Sequence, residues 1–219
     1  MEGEEFLAGL TAGETAELRA LGRPRRWPAG ATVFSEGDRS TTVVLLLTGR
    51  VKIYSLTEQG TEIVLAVRGP GTLLGELSVV DGAPRAASVQ AMEPLQAIVV
   101  PAPAFLSFLR GHPNAALRMV QMIVGRLRDA DRKRAEFGAY DTLGRVSLRL
   151  VELAERFGAR GERGIRITVP FTQDELAGWI GSSREAVAKA LRTLRDQGAI
   201  ETHRRGVSVL ELERLRHPR

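Results

Sequence analysis

The sequence predicts an α+β protein with an N-terminal β-roll, one long central helix, and a C-terminal pair of short helices closed by a β-hairpin. Three observations predict this order. Short β-type runs separated by glycine turns fill residues 27–100, one apolar helical period runs through residues 114–137, and two capped helical segments lie within residues 172–194. We therefore expect three parts, at residues 1–112, 113–138 and 139–219.

The composition narrows the classes of protein that fit. The 219 residues contain 31 Lys and Arg against 26 Asp and Glu, and most of the basic excess lies after residue 138. The C-terminal part is therefore better suited to face phosphate groups. There is no cysteine, which excludes disulfides, iron–sulfur clusters and cysteine nucleophiles.

Metal and membrane signals are also missing from the sequence. The three histidines, His112, His203 and His217, have no ligand spacing, so we expect no metal site. The N-terminus, M-E-G-E-E, is acidic where a signal peptide needs positive charge. The longest aliphatic run, residues 43–47, is too short to span a bilayer. These features predict a soluble, cytoplasmic protein with no membrane partner.

The N-terminal part begins with a short helical segment at residues 6–21 and then changes to β-type runs. The predicted strands are residues 32–34, 43–47, 51–56, 62–67, 87–91 and 96–100. Glycine-containing turns separate them, among them Gly37-Asp38, Gly49-Arg50 and Asp81-Gly82. Many short strands with such turns are typical of an all-β barrel or roll.

The long helix predicted at residues 114–137 carries an apolar stripe with a spacing of roughly 3.5 residues. Its members are Leu117, Val120, Ile123 or Val124, Leu127 and Ala130. Such a stripe packs either on the roll of its own chain or on a partner. A stripe on a helix this long favours a homodimer.

A hinge at residues 138–140 is predicted to precede a helix at residues 142–157, with Asp141 as its N-cap. A flexible A-R-G-E-R-G linker and a strand at residues 165–169 follow. Thr172 and Glu175 then have the spacing of a capping box. Gly181 is suited to the left-handed turn that ends this first short helix.

The second short helix is predicted to begin after Ser182 or Ser183. Its apolar residues are Val187, Leu191 and Leu194, and its other face carries Arg184, Glu185, Ala188, Lys189 and Arg192. This layout is typical of a DNA-reading helix-turn-helix, since Arg can bind guanine and Glu can accept from cytosine. A helical hairpin with a solvated charged face is the alternative. A following β-hairpin with Arg204 at its tip makes the motif a winged helix-turn-helix and favours DNA.

One segment of the β-region is not an ordinary turn sequence. It comprises residues 75–88, G-E-L-S-V-V-D-G-A-P-R-A-A-S, and we call it the cassette. Backbone amides at a helix start with Arg85 facing them would bind one phosphate. Glu76 is a suitable acceptor for a ribose hydroxyl. The glycines alone do not distinguish this site from a structural turn in which Arg85 is a surface or structural residue.

The roll, the cassette, the long helix, the D-T-L-G-R segment and the S-R-E-A-V-x-K helix occur here in one order. In that order they resemble the cyclic AMP receptor protein/FNR family of bacterial transcription regulators. The resemblance implies a cyclic-nucleotide-binding type of roll with cyclic AMP as effector, a dimer through residues 114–137, palindromic double-stranded DNA, and RNA polymerase as a partner. The family's iron–sulfur branch needs cysteines, which this chain does not contain.

The resemblance also implies roles for individual residues. The expected ligand contacts are Gly75, Glu76, Leu77, Arg85, Ala86, Ala130 and Asp131. The expected DNA contacts are Thr172, Ser183, Arg184, Glu185, Ala188, Lys189 and Arg204. Among them, Arg184, Glu185 and Lys189 would read bases.

Two departures from the family pattern leave a second reading open. Ala86 stands where cyclic-AMP-binding members have Ser or Thr, and Ala130 with Asp131 stands where they have Thr with Ser or Asn. A DNA-binding regulator independent of cyclic nucleotide, or responsive to another ligand, is therefore the alternative. A cupin-like metal enzyme would need histidines in the roll, but residues 27–100 contain none. We therefore expect that the protein is not an enzyme.

Overall fold

The computed structural model describes residues 5–39, 41–203 and 206–218. The chain forms two compact units, Met1–Ser55 with Leu65–Ala130, and Leu56–Val64 with Asp131–Arg219. These units are defined by contacts within one chain and divide the long helix at residue 130. The domain limits expected at residues 112 and 138 therefore stay predictions.

The secondary structure mixes helices and strands, as the sequence predicts. The strands are β1 (Arg23–Trp27), β2 (Thr32–Phe34), β3 (Thr42–Thr48), β4 (Val51–Leu56), β5 (Glu62–Arg68), β6 (Leu73–Leu74), β7 (Ser88–Ala91), β8 (Leu95–Pro101), β9 (Gly158–Gly161), β10 (Gly164–Ile167), β11 (Ile200–His203) and β12 (Gly206–Val209). The helices are α1 (Ala12–Ala20), α2 (Glu76–Asp81), α3 (Ala102–Gly111), α4 (Pro113–Ala139), α5 (Thr142–Phe157), α6 (Gln173–Ile180), α7 (Arg184–Asp196) and α8 (Leu212–Arg216), and a short 3-10 turn precedes α1.

The β-roll consists of two four-stranded sheets. Their strand orders are β1-β8-β3-β6 and β2-β7-β4-β5. The central pairs are antiparallel, with Val43 opposite Val100 in the first sheet and Ile53 opposite Val89 in the second. All six predicted strands of this region are confirmed, whereas β1 and the two-residue β6 were not predicted.

The position of β3 between two core clusters explains why its sequence is a continuous apolar run rather than an alternating one. Val43 and Leu45 enter a core cluster shared with α1, α3 and α4, while Val44 and Leu46 enter a second cluster with Trp27 and the other sheet. Both faces of the strand are therefore buried, and an alternating pattern would place polar side chains in one of the two cores.

Two helices of the chain differ from the sequence-based expectation. Helix α3 was not predicted, although Phe105, Phe108 and Leu109 have helical spacing and are all buried. Helix α4 continues to Ala139 rather than ending at residue 137, so the first two residues of the expected hinge are helical, and the hinge itself stays a prediction. The helix has no breaker there, because a single glycine is tolerated inside a helix.

The linker expected after α5 is also wrong. Residues 158–161 form β9, which pairs antiparallel with β10, so the segment is a hairpin. Strand β10 ends at Ile167 rather than at residue 169. The glycines that suggested flexibility occupy the hairpin, where Gly164 has a φ of 131°. Together with β12 and β11 these strands complete a four-stranded sheet in the order β11-β12-β10-β9.

The predicted helix-turn-helix is confirmed in its local detail. The hydroxyl of Thr172 accepts from the Glu175 amide at 3.1 Å, and the Glu175 carboxylate accepts from the Thr172 amide at 2.7 Å. Gly181 ends α6 with a φ of 61°. Ser183 is the cap of α7, accepting from the Ala186 amide at 3.1 Å.

Gly181 has two reasons to be glycine, and they can be separated. A Cβ at this position would lie 2.5 Å from the Phe137 ring, and its left-handed φ would cost any other residue about 1–2 kcal/mol. We expect Gly181→Ala to lower the free energy of unfolding by more than that amount, measured in urea by Trp179 fluorescence. Gly198→Ala is the matched control, since Gly198 has a φ of 72° with nothing within 4 Å. Equal losses in the two variants would show that the Phe137 contact has no effect.

Candidate functional site

The cassette lies between β6 and β7 and begins with a turn that only glycine adopts easily. Gly75 has a φ of 76°, and a Cβ there would lie 2.0 Å from Nη1 of Arg85. Helix α2 starts directly afterwards with Glu76. The local backbone therefore brings Glu76 and Arg85, the two charged residues of the cassette that are expected to bind ligand, to the same place.

The Arg85 side chain is buried and held by backbone carbonyls. Nη1 donates to the Gly75 carbonyl and Nη2 to the Thr42 carbonyl, both at 2.7 Å. Burial lowers the pKa of the Arg85 guanidinium, while the charges of Glu76 and Asp38 act in the opposite direction. The arginine thus ties β3 to the start of α2.

Glu76 is 2 % exposed and is paired with an arginine that sequence reasoning missed. Nη1 of Arg126, in α4, donates to Oε1 of Glu76. Nη2 of the same arginine donates to the Leu73 carbonyl at 2.9 Å. Burial of a charged carboxylate without such a partner would cost several kcal/mol. The available sequence signal was that Arg126 stands four residues after Met122, on the face of α4 opposite the apolar stripe.

The other expected ligand residues are all exposed. Leu77 follows Glu76 with 42 % of its surface accessible, and Ala86 is exposed beside Arg85. Ala130 and Asp131 are exposed on α4, about one helical turn beyond Arg126. The structure brings Gly75, Glu76 and Arg85 together, and the ligand roles of all seven residues stay predictions.

The second candidate surface is the polar face of α7. Ser183, Arg184, Glu185 and Lys189 are exposed, and Ala188 is partly exposed. Buried Val187, Leu191 and Leu194 hold the opposite face against the rest of the unit. Helix α7 therefore presents its first two turns to solvent, which suits contact with base edges in a major groove.

The turn before α7 is fixed by side-chain hydrogen bonds. Ser182 and Thr142 share one at 3.1 Å, and this contact joins the turn to the start of α5. Arg184 lies 3.7 Å from Asp174, and both side chains are about two-thirds exposed. An exposed pair at that distance is weak and leaves Arg184 free to move to another acceptor.

The wing of the motif is the β11–β12 hairpin. His203 lies opposite Gly206 and its Nε2 is 2.8 Å from the Ser208 hydroxyl. The expected DNA contact Arg204 lies outside the described residues. Thr172 is partly exposed at the start of α6, where its hydroxyl serves the capping box.

The apolar stripe of α4 is mostly uncovered in a single chain. Leu117, Val120, Val124 and Leu127 are exposed by 57 %, 53 %, 38 % and 60 %. Ile123, the alternative member at that step, instead packs against the roll core. Because Ala115, Met119 and Met122 bury the opposite face, α4 packs on its own roll and still presents an apolar surface.

In residues 5–39, 41–203 and 206–218, no three His, Asp or Glu side chains come together in a way that could hold a metal ion. No helix in those ranges is both long enough and apolar enough to cross a membrane.

Two family models match the chain, one for each candidate site. Residues 24–112 match the cyclic nucleotide-binding domain. Residues 144–217 match the Crp-like helix-turn-helix domain. The cassette lies within the first match, and helices α6 and α7 lie within the second.

Relatives of known role match over nearly the whole chain. The CRP-like cAMP-activated global transcriptional regulator of Mycobacterium tuberculosis is 32% identical over 207 residues, covering 94% of this chain and 92% of that protein. The cyclic AMP receptor protein of Thermus thermophilus is 28% identical, covering 96% of this chain and 94% of that protein.

Solved structures of similar proteins have the same fold. The c-di-GMP-responsive global regulator CLP of Xanthomonas campestris matches with a TM-score of 0.79 at 22% identity, over 91% of this chain and 99% of that one. The catabolite activator protein of Thermus thermophilus matches with a TM-score of 0.56 at 27% identity, over 96% of this chain and 97% of that one.

Arg85 should contribute to the stability of the roll whether or not a ligand binds. Arg85→Ala leaves the Gly75 and Thr42 carbonyls without their donors, and we expect it to lower the free energy of unfolding by about 2–4 kcal/mol. The measurement is urea unfolding of the ligand-free protein, with Arg39→Ala, at an exposed arginine, as control. If both variants unfold like the wild type, the hydrogen bonds of Arg85 do not stabilise the roll.

Proposed function

The chain belongs to the cyclic AMP receptor protein/FNR family of DNA-binding transcription regulators, and from this we propose that it is a homodimer controlled by a cyclic nucleotide. The proposed ligand is cyclic AMP, bound in the β-roll at the cassette. The proposed DNA site is palindromic and is read by α7 of each subunit. The cyclic AMP-activated relatives support this choice of effector.

The ligand proposal rests on one observation, the convergence of Glu76 and Arg85 at Gly75. A cyclic nucleotide presents an anionic phosphate next to a ribose hydroxyl, and the two side chains offer a cation and a carboxylate with matching chemistry. Arg85 uses two of its five N–H groups on Gly75 and Thr42, which leaves donors for a phosphate. We assign the phosphate to Arg85 and the ribose hydroxyl to Glu76.

The Glu76–Arg126 pair suggests how a ligand in the roll acts on the long helix. A ribose hydroxyl that donates to Glu76 binds the same carboxylate that Arg126 holds. Ligand binding therefore alters the contacts of α4, the helix that leads to the DNA-binding part of the chain. In thermodynamic terms, the nucleotide favours the conformation for which it has the higher affinity.

The exposed stripe of α4 supports dimerisation through this helix. Leu117, Val120, Val124 and Leu127 have the three-and-four spacing of a coiled-coil seam. A two-fold dimer would place its two α7 helices about 34 Å apart, one turn of DNA. As a transcription regulator, the dimer is expected to act through RNA polymerase.

A second candidate function has its own support. The two carbonyls already give Arg85 a structural role, and Ala86 cannot add the hydroxyl that family members supply to the phosphate. In this alternative the cassette is structural, and the protein binds DNA without a cyclic nucleotide or responds to another ligand.

The deciding experiment is fluorescence anisotropy of a labelled duplex with the T-G-T-G-A inverted repeat that the family resemblance implies. Full-length protein is titrated at fixed salt without nucleotide, with cyclic AMP and with cyclic GMP. Since allosteric coupling between two sites is typically about 1–3 kcal/mol, we expect cyclic AMP to tighten binding about 5- to 150-fold.

A duplex with a single half-site is the control for dimerisation, and it should bind more weakly because only one α7 helix can engage. Tight binding that ignores both nucleotides would reject cyclic nucleotide control and favour the alternative. A response to cyclic GMP alone would reject cyclic AMP as the effector.

The reading of bases by α7 gives a separate prediction. Arg184→Ala should remove about 1–3 kcal/mol of discrimination against a substituted guanine in the half-site, because a bidentate contact is lost. Anisotropy with the intact and substituted duplexes measures this difference. Arg195→Ala is the matched control, since it removes the same charge from the last turn of α7. If Arg184→Ala lowers affinity for both duplexes equally, Arg184 contacts phosphate rather than a base.

A further inference from the structure

Phe34 lies against the guanidinium of Arg85 and has no role in the function described so far. Cζ of Arg85 is 4.2 Å from the centre of the Phe34 ring. The distance is well inside the range of a cation–π contact, which strengthens when the cation is shielded from water. Arg85 is only 5 % exposed.

The backbone holds these two residues in register. The Arg85 amide donates to the Asp38 carbonyl and the Gly37 amide donates to the Arg85 carbonyl, both at 2.9 Å. The turn that carries Gly37 and Asp38 begins directly after Phe34, and its Glu36 amide donates to the Ser88 hydroxyl at 2.9 Å. The end of β2 and the end of the cassette therefore form one local unit.

Phe34 itself is anchored on the roll. It is partly buried and packs against the core cluster that includes Trp27, Val44 and Leu46. A ring fixed in this way is a platform that restricts the guanidinium plane, while the Gly75 and Thr42 carbonyls restrict it in two directions within that plane. The remaining N–H groups of Arg85 are then oriented to donate to an anion.

We propose that Phe34 is a positioning residue for the effector phosphate, acting through Arg85. The proposal rests on the function given above, since it concerns the same cyclic-nucleotide site. Phe34 orients the guanidinium before the ligand arrives, so that less side-chain entropy is lost on binding. It also compensates for Ala86, which offers no hydroxyl to the phosphate.

The test is isothermal titration calorimetry of the full-length protein with cyclic AMP. Phe34→Leu keeps an apolar side chain of similar reach and removes the π face. We expect it to weaken binding about 3- to 10-fold, because the guanidinium then loses more side-chain entropy when the ligand binds. Phe34→Tyr keeps the ring and should bind within about twofold of the wild type, a difference below 0.5 kcal/mol.

Val33→Ala is the control for packing alone, because Val33 packs on the same core cluster. Thermal unfolding of each variant is measured in parallel. Equal losses of affinity in Phe34→Leu and Phe34→Tyr, or a loss in Val33→Ala as large as that in Phe34→Leu, would show that Phe34 acts only through packing. If the wild type binds cyclic AMP and Phe34→Leu binds it with the same affinity, the positioning role is overturned and the proposed function stands. If the wild type binds no cyclic nucleotide, both proposals are overturned.

Discussion

The need to neutralise buried charge governs the architecture around the cassette. Glu76 and Arg85 are both almost inaccessible to water, and burying an ion without partners costs several kcal/mol. The fold meets this need by three means: a salt bridge from Arg126, two backbone carbonyls and the face of Phe34. The same contacts connect β3, α2, β2 and α4, so the site and the roll are stabilised together.

This dual use of the charged residues is what the proposed regulation by a ligand requires. Groups that only stabilised the roll would not respond to a nucleotide, and groups that only bound it would not affect α4. Arg126 joins the carboxylate that is expected to receive the ribose to the helix that carries the exposed apolar stripe. The stripe, in turn, is the surface through which two chains are expected to associate.

In the DNA-binding part, local sequence signals are sufficient to determine where the helices begin and end. Thr172, Gly181 and Ser183 determine the ends of α6 and α7 through caps and a left-handed turn. Each signal depends on residues within four positions of one another, so the sequence predicts it directly. Strand β9 was missed because its glycines also suit a flexible linker, and its pairing with β10 shows that the segment is a strand.

The sequence alone determined the order of the parts, six of the eight strands of the roll and the helix-turn-helix, and it left open whether Arg85 belongs to a site with Glu76 or to a structural turn. These features depend on periodicity, caps and short motifs, which are local properties of the chain. The tertiary structure decided which arginine pairs with Glu76 and which ring faces Arg85. Arg126 is 50 residues from Glu76, and Phe34 is far from Arg85 along the chain. The first contact arises from the packing of α4 on the roll and the second from the folding of the roll itself, and no local pattern encodes either.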